Sequence, residues 1–290
     1  MRTAYTLPSA LFQNDQSVMK ERFLLLKIGA GWVRTKNERR VSMTKKEKTL
    51  LTAGIVAAAA FGFPSTAYAM HIMEGALPVG SCLAWGAISL PFLAAGFLAI
   101  QKILRENRRA ITLLAMSGAF VFVISSLKIP SVSGSCSHMT GTGLGAILFG
   151  PAVVSVLGLI VLLFQAVLLA HGGLTTLGAN TFSMAIAGPF VSYLVYRLLN
   201  RFQVNRKVSV FFAAFLGDLI TYCVTAFQLA LAHNSATTFG MALKENLIIF
   251  AGTQLPLAIV EGLLTVVIIT GLESYARPEL RAVGYGREAR

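Results

Sequence analysis

From Leu83 to Leu272 the chain is a succession of apolar runs, each about 20 residues long. At a rise of about 1.5 Å per residue, a helical run of that length crosses the ~30 Å hydrocarbon core of a bilayer. Lipid offers the backbone no hydrogen-bond partner, and an α-helix pairs every N–H and C=O within its own segment. The runs fall near 83–104, 110–129, 143–170, 183–199, 208–232 and 247–272. The expected fold class is therefore all-α, a polytopic membrane helical bundle. Only 13% of the 290 residues are charged, roughly half the share of a soluble domain. No remaining stretch is long enough to build a large soluble core.

The net charge of +13 is distributed as a membrane protein's would be. Residues 1–69 hold 11 Lys/Arg against 4 Asp/Glu, and the other basic residues gather at the ends of apolar runs. That is a topology signal, not a groove for nucleic acid, and no nucleic-acid partner is expected. Three widely spaced cysteines, Cys82, Cys136 and Cys223, make neither a disulfide framework nor a CxxC motif. Cys82 and Cys223 read as apolar fillers.

The N-terminal region reads as targeting sequence. Lys45-Lys46-Glu47-Lys48 is basic, Leu50 to Phe63 is apolar, and Ala67-Tyr68-Ala69 is small-x-small. In that order they make a secretory signal peptide. The alternative, an uncleaved helix over Leu50 to Tyr68, is short for a span and has Pro64 in its last turn. Met43 is a natural start as well as Met1. The expected organisation is an upstream extension over 1–42, a signal peptide over 43–69, a transmembrane metal-binding region over 70–272 and a cytoplasmic tail over 273–290.

Cleavage after Ala69 leaves Met70 outside. The first span then ends at Lys102, Arg105, Arg108 and Arg109 on the cytoplasmic side, where basic residues belong. The second returns to a 130–142 loop that contains no Lys or Arg. A single crossing by 143–170 would leave Arg197, Arg201, Arg206 and Lys207 outside, against the same rule. Phe149-Gly150-Pro151 resolves this, because Pro151 cannot continue a helical ladder. A short helix near 141–150 followed by an ascending helix over 151–170 restores the parity. The count becomes about seven helices, one of them short or re-entrant, with the 130–142 loop dipping into the bundle from outside. The segment 171–182 faces outward, and the C-terminus is cytoplasmic.

Processing would create a metal-binding end. A mature chain beginning Met70-His71 carries a free α-amine and an imidazole one residue apart. The amine, a deprotonated His71 amide and the His71 imidazole form fused chelate rings. His138, in the outer loop, would complete a four-nitrogen plane. Tetragonal nitrogen sites suit Ni²⁺, Cu²⁺ and low-spin Co²⁺. The free amine titrates near ~8 and imidazole near ~6.5, so binding releases protons and weakens in acid. From sequence, His171 and His233 are expected to be ordinary polar groups at helix ends. Cys136 is a disfavoured soft ligand, since a thiolate would hold the ion too tightly for transit. Met70 and Met73 thioethers make a thin case for Cu(I).

Asp218, Glu245 and Glu261 are acids in or near membrane segments, costly there unless they face the interior. Each suits an interhelical hydrogen bond, a proton route or support around the metal. Three classes of function follow: a metal-capturing transport component, a membrane metalloenzyme, and a proton-coupled secondary transporter using Asp218 or Glu261. No HExxH motif supports the second, so the chain is not expected to be an enzyme. No GxxxxGK[ST] phosphate loop occurs, so any ATP hydrolysis must reside in another subunit. Ala95-Gly-Phe-Leu-Ala99 and Ala115-Met-Ser-Gly-Ala119 are small-xxx-small patterns that permit close helix contact, and either suits a face toward a coupling subunit.

Several stretches together resemble the CbiM family. They are Met70-His-Ile-Met-Glu-Gly-Ala-Leu-Pro78, Ser125-Ser-Leu-Lys-Ile-Pro130, Gly134-Ser-Cys-Ser-His138, Thr140-Gly-Thr-Gly-Leu-Gly145, Leu148-Phe-Gly-Pro151 and His171-Gly-Gly-Leu-Thr-Thr-Leu-Gly-Ala-Asn180. The similarity runs over 70–272. It implies the substrate-specific membrane component of an energy-coupling-factor transporter that imports cobalt for cobalamin synthesis, with nickel relatives of the same architecture. It implies seven helices in the bacterial inner membrane, surrounded by lipid. The metal, Co²⁺ or alternatively Ni²⁺, would be held by the Met70 amine, the His71 amide and imidazole, and His138. Expected partners are a small CbiN-like membrane subunit, a CbiQ-like coupling subunit and a CbiO-like ATPase. Met139 departs from the family pattern, standing where proline is expected after the histidine.

Overall fold

Helix order follows the apolar runs. The computed structural model describes residues 71–108, 110–127, 129–130, 136–232 and 238–285. The extension over 1–42, the signal peptide over 43–69, Met70 and His233 lie outside the described residues. Helix α1 spans Val79–Glu106 and α2 spans Ala110–Ser126. Two-residue strands, β1 (Ile129–Pro130) and β2 (Cys136–Ser137), pair antiparallel, Ile129 opposite Ser137. Then come α3 (Thr142–Phe149), α4 (Pro151–Leu169), α5 (Leu177–Arg201), α6 (Arg206–Ala232), α7 (Phe239–Tyr275) and a short α8 (Arg277–Ala282).

The chain is a multi-pass membrane protein. Among the described residues, α1, α4, α5, α6 and α7 are long and apolar enough to cross a bilayer, and α2 is a 17-residue apolar helix. Large side chains such as Leu83, Phe97, Phe164, Leu194 and Leu263 project outward from these helices, as lipid-facing positions do. The expected break in 143–170 falls at Gly150, whose φ of 86° ends α3. Pro151 then opens α4 at the first helical position, where its missing N–H costs nothing.

Helix α3 is too short to span, with eight residues. Thr142 to Leu148 are all buried, packed among α4, α5 and α6. Helix ends at membrane depth survive only with protein around them, and this one is enclosed. Small residues permit the enclosure. A Cβ on Gly143 would stand 2.9 Å from the Ala214 Cα of α6, and one on Gly217 would stand 3.0 Å from the Gly188 carbonyl of α5. The small-residue pattern around Gly96 is likewise used inside the chain, against Ser155 and Val156 of α4. Van der Waals packing of this kind is what holds helices together where lipid is as apolar as the side chains.

Helix α5 begins irregularly. Leu177–Asn180 is α-helical, Thr181–Ala187 is a π-helical stretch, and Gly188–Arg201 returns to α. Wide turns of this kind recur at functional sites, and Asn180 stands at the junction.

Candidate metal centre

Three segments from distant parts of the chain bring a histidine each to one buried point. The first is the extended run before α1. Ile72 donates its N–H to Asn180 Oδ1 at 2.8 Å, and its carbonyl accepts from Asn180 Nδ2 at 3.1 Å and Thr176 Oγ1 at 2.6 Å. The Asn180 amide thus pairs with one residue of main chain as a neighbouring strand would. Beyond it, Glu74 Oε2 accepts from the Thr175 N–H at 3.2 Å. Hydrogen bonding from Thr175 holds the Glu74 carboxyl below its ordinary range, against a smaller opposing effect of desolvation. That contact is therefore present above the usual glutamate range and is lost only as pH falls through the lowered value. These bonds fix the residue next to His71.

His138 stands just past β2. The Tyr222 hydroxyl accepts from its N–H at 3.2 Å and donates to its carbonyl at 2.8 Å. Its Nδ1 lies 2.9 Å from the Met139 carbonyl. A carbonyl only accepts, so Nδ1 carries the proton and Nε2 presents its lone pair to the cluster. The loop behind it is tied to Glu261, whose two oxygens accept from Thr140 N–H at 2.6 Å, Thr140 Oγ1 at 2.9 Å and Gly141 N–H at 2.9 Å. Gln254 donates to Asp218 and lies 3.5 Å from the His138 carbonyl. Asp218 and Glu261 are 1% and 0% exposed, while Glu245 is exposed. Met139 packs its side chain against Ile124 and Leu257.

His171 follows the end of α4. Ala170 takes a left-handed φ of 47°, and the His171 N–H returns to the Gln165 carbonyl at 3.1 Å. The Ala170 N–H reaches the same carbonyl in a six-to-one closure, which turns the chain sharply at the helix end. Gly172, at φ 81°, lets the backbone pass close to His71: a Cβ there would stand 3.4 Å from the His71 Cβ.

The result is a triangle of ring nitrogens. His71 Nδ1 lies 2.7 Å from His138 Nε2 and 2.8 Å from His171 Nε2, and the last two are 3.2 Å apart. The rings are 2%, 0% and 2% exposed. The His71 and His138 rings are tilted by 26°, while His171 stands at 78° and 64° to them. Imidazole binds a divalent transition ion at about 2.0–2.1 Å, so adjacent nitrogens of one coordination sphere stand about 2.8–3.3 Å apart. The three are spaced as ligands of one ion.

The structure therefore brings together His71 and His138, as expected from sequence, and adds His171, which from sequence is an ordinary helix-end group. A signal was available, since 171–182 is expected on the same outer side as His71 and the 130–142 loop. Of the three acids, Glu261 supports the His138 loop directly from α7, 121 positions beyond Thr140, and Asp218 of α6 stands behind it through Gln254.

Asn180 is the clearest positioning residue among these. Asn180→Ala removes two bonds to Ile72: the buried N–H loses its acceptor, at about 1–3 kcal/mol, while the carbonyl keeps Thr176 Oγ1. We expect affinity for a divalent transition-metal ion to fall roughly 10–100-fold, as for loss of a residue that orients a ligand. Isothermal titration of the purified protein checks this, and an unchanged affinity contradicts it.

A family model described as CbiM, cobalt uptake substrate-specific transmembrane region, matches residues 71–280. A protein of Lachnoclostridium phytofermentans named cobalt transport protein CbiM is 61% identical over 243 residues, covering 83% of this chain and 97% of its own. One of Chlorobium limicola with the same name is 57% identical, over 81% of this chain and 94% of its own. A solved structure described as a truncated transition metal transporter superposes with a TM-score of 0.62 at 28% identity, covering 71% of this chain and 99% of its own. With its helical bundle, its buried histidine cluster and these relatives, the chain belongs to the CbiM family.

Proposed function

We propose that this chain is the ion-capturing membrane component of an energy-coupling-factor importer for cobalt, supplying cobalamin biosynthesis. The observation that carries the reading is the convergence of His71 Nδ1 and His138 Nε2 at 2.7 Å in a buried site. Nδ1 is the nitrogen that a second-residue histidine needs to close a six-membered ring through its own amide nitrogen. A signal peptide over 43–69, removed after Ala69, leaves Met70 as the first residue. The Met70 amine, the His71 amide and Nδ1, and His138 Nε2 then form a square plane around the ion. The 2.7 Å spacing matches the roughly 2.8 Å between neighbouring nitrogens of such a plane.

Cobalt as cargo is supported by the family description and by the names of the relatives. The chain lacks a phosphate-binding loop of its own. Energy comes from a CbiO-like ATPase through a CbiQ-like coupling subunit, with a CbiN-like small subunit alongside. The mature N-terminus lies outside the inner membrane and the 273–290 tail in the cytoplasm.

The test joins N-terminal sequencing of the membrane-extracted protein to uptake in proteoliposomes. The expected results are a chain beginning at Met70 and Co²⁺ uptake only when the ATPase and coupling subunits are present with ATP. Uptake by the chain alone under a pH gradient would sink the proposal in favour of a secondary transporter. Ni²⁺ in place of Co²⁺ as the accumulated ion would make it a nickel importer of the same build.

A further inference from the structure

We propose that His171 is a fifth, axial ligand that makes this site prefer Co²⁺ over Ni²⁺. The proposal rests on the four-nitrogen plane argued above and adds a residue to it. In that plane the two positions next to His71 Nδ1 belong to the His71 amide and to His138 Nε2. The amine lies opposite. A further nitrogen adjacent to both His71 Nδ1 and His138 Nε2 has no place left in the plane. His171 Nε2 is that nitrogen, at 2.8 Å from the first and 3.2 Å from the second. Opposed ligands would be about 4 Å apart at ordinary bond lengths. The ring of His171 is steeply inclined to the other two, at 78° and 64°, so it approaches from a different direction.

The main chain holds it there. His171 follows the left-handed Ala170, its N–H is tied to Gln165, and Gly172 packs against His71. The same segment, five residues past His171, begins the Thr176 and Asn180 clamp on Ile72. One stretch of chain thus carries the axial nitrogen and the grip on the terminus that supplies the plane.

An axial donor separates the two candidate ions by electron count. Low-spin d⁸ Ni²⁺ has a filled orbital along the axis and keeps to four ligands in a plane. Low-spin d⁷ Co²⁺ has one electron in that orbital and accepts a fifth donor. The imidazole of His171 therefore adds to cobalt affinity and contributes little to nickel.

The experiment uses the purified mature protein without air, titrated with Co²⁺ and separately with Ni²⁺. For His171→Ala, Co²⁺ affinity falls about 10–100-fold, while Ni²⁺ affinity stays within about threefold. The paramagnetic resonance spectrum of the Co²⁺ complex of the unmodified protein shows each cobalt hyperfine line along the axis split in three by one axial nitrogen. The splitting disappears in His171→Ala and returns with added free imidazole. Equal losses for both ions would mean that His171 only supports the fold, and would overturn the proposal. An unaffected Co²⁺ affinity, or no threefold splitting in the unmodified protein, would overturn it too. His138→Ala tests the underlying plane separately. It should weaken both ions, and a variant that keeps full Ni²⁺ affinity would sink the plane and the axial assignment with it.

Discussion

A mature chain carrying two extra residues ahead of Met70 should lose tight Co²⁺ binding while remaining folded. The extension turns the α-amine into an amide, whose lone pair is delocalised and whose proton must be removed before it can ligate. It also places additional main chain where His71 enters the bundle, a point at which Ile72 is buried and fastened through both its N–H and its carbonyl. A full set of nitrogen and sulfur ligands yields about 10–16 kcal/mol for a structural divalent ion, so one donor of four is worth on the order of 3 kcal/mol, or roughly 100-fold. Two residues are specified for a chemical reason. A single one would put His71 third, and the sequence amine, amide, amide, imidazole closes a square plane without His138. Titration calorimetry with Co²⁺, beside a thermal melt to establish folding, reads the outcome. Wild-type affinity in the extended protein would remove the terminus from the site.

The second large effect is expected at a residue that touches no ion. Glu261→Ala removes the acceptor for Thr140 N–H, Thr140 Oγ1 and Gly141 N–H. Each is a buried donor, and an unmade bond of this kind costs about 1–3 kcal/mol. The total exceeds about 3 kcal/mol and falls on the loop that presents His138. We expect a clear drop in melting temperature together with at least a tenfold loss of Co²⁺ affinity. Glu261→Gln should fall between, because its amide oxygen still accepts while its NH₂ meets a donor. A proton-coupled mechanism built on Glu261 would show a different pattern, with uptake lost and binding intact. Binding and uptake measured on the same two variants separate these outcomes.

The break in the third apolar run illustrates how much is legible in one dimension. Phe149-Gly150-Pro151 announces a helix end and a helix start, because proline removes a donor and clashes with the preceding turn wherever it sits. The structure has both ends within one residue of Gly150. The boundaries of α1 and α6 extend four residues or fewer beyond the apolar runs, while α7 starts eight residues ahead of its run, since polar turns at the interface continue the same ladder. Gly96 belongs to a recognisable pattern, yet whether it faces another subunit or α4 is not written in its neighbours. His138 is legible because it lies in a polar loop that apolar surroundings oblige to be enclosed.

His171 and Glu261 mark the limit. The sequence places His171 on the outer side, at the head of a family-like run, but does not say that its ring meets the other two histidines. Its role appears only when a left-handed turn at Ala170 swings it against His71, 100 positions away. Glu261 lies 120 positions from Gly141 and meets it only because α7 passes beside the loop. Hydropathy and backbone chemistry act locally, so the number, order and length of the membrane helices are written along the chain. A polar group sealed away from water must find its partner through space, wherever packing happens to put one. Which nitrogens converge, and which carboxylate steadies their loop, is therefore a property of the folded bundle.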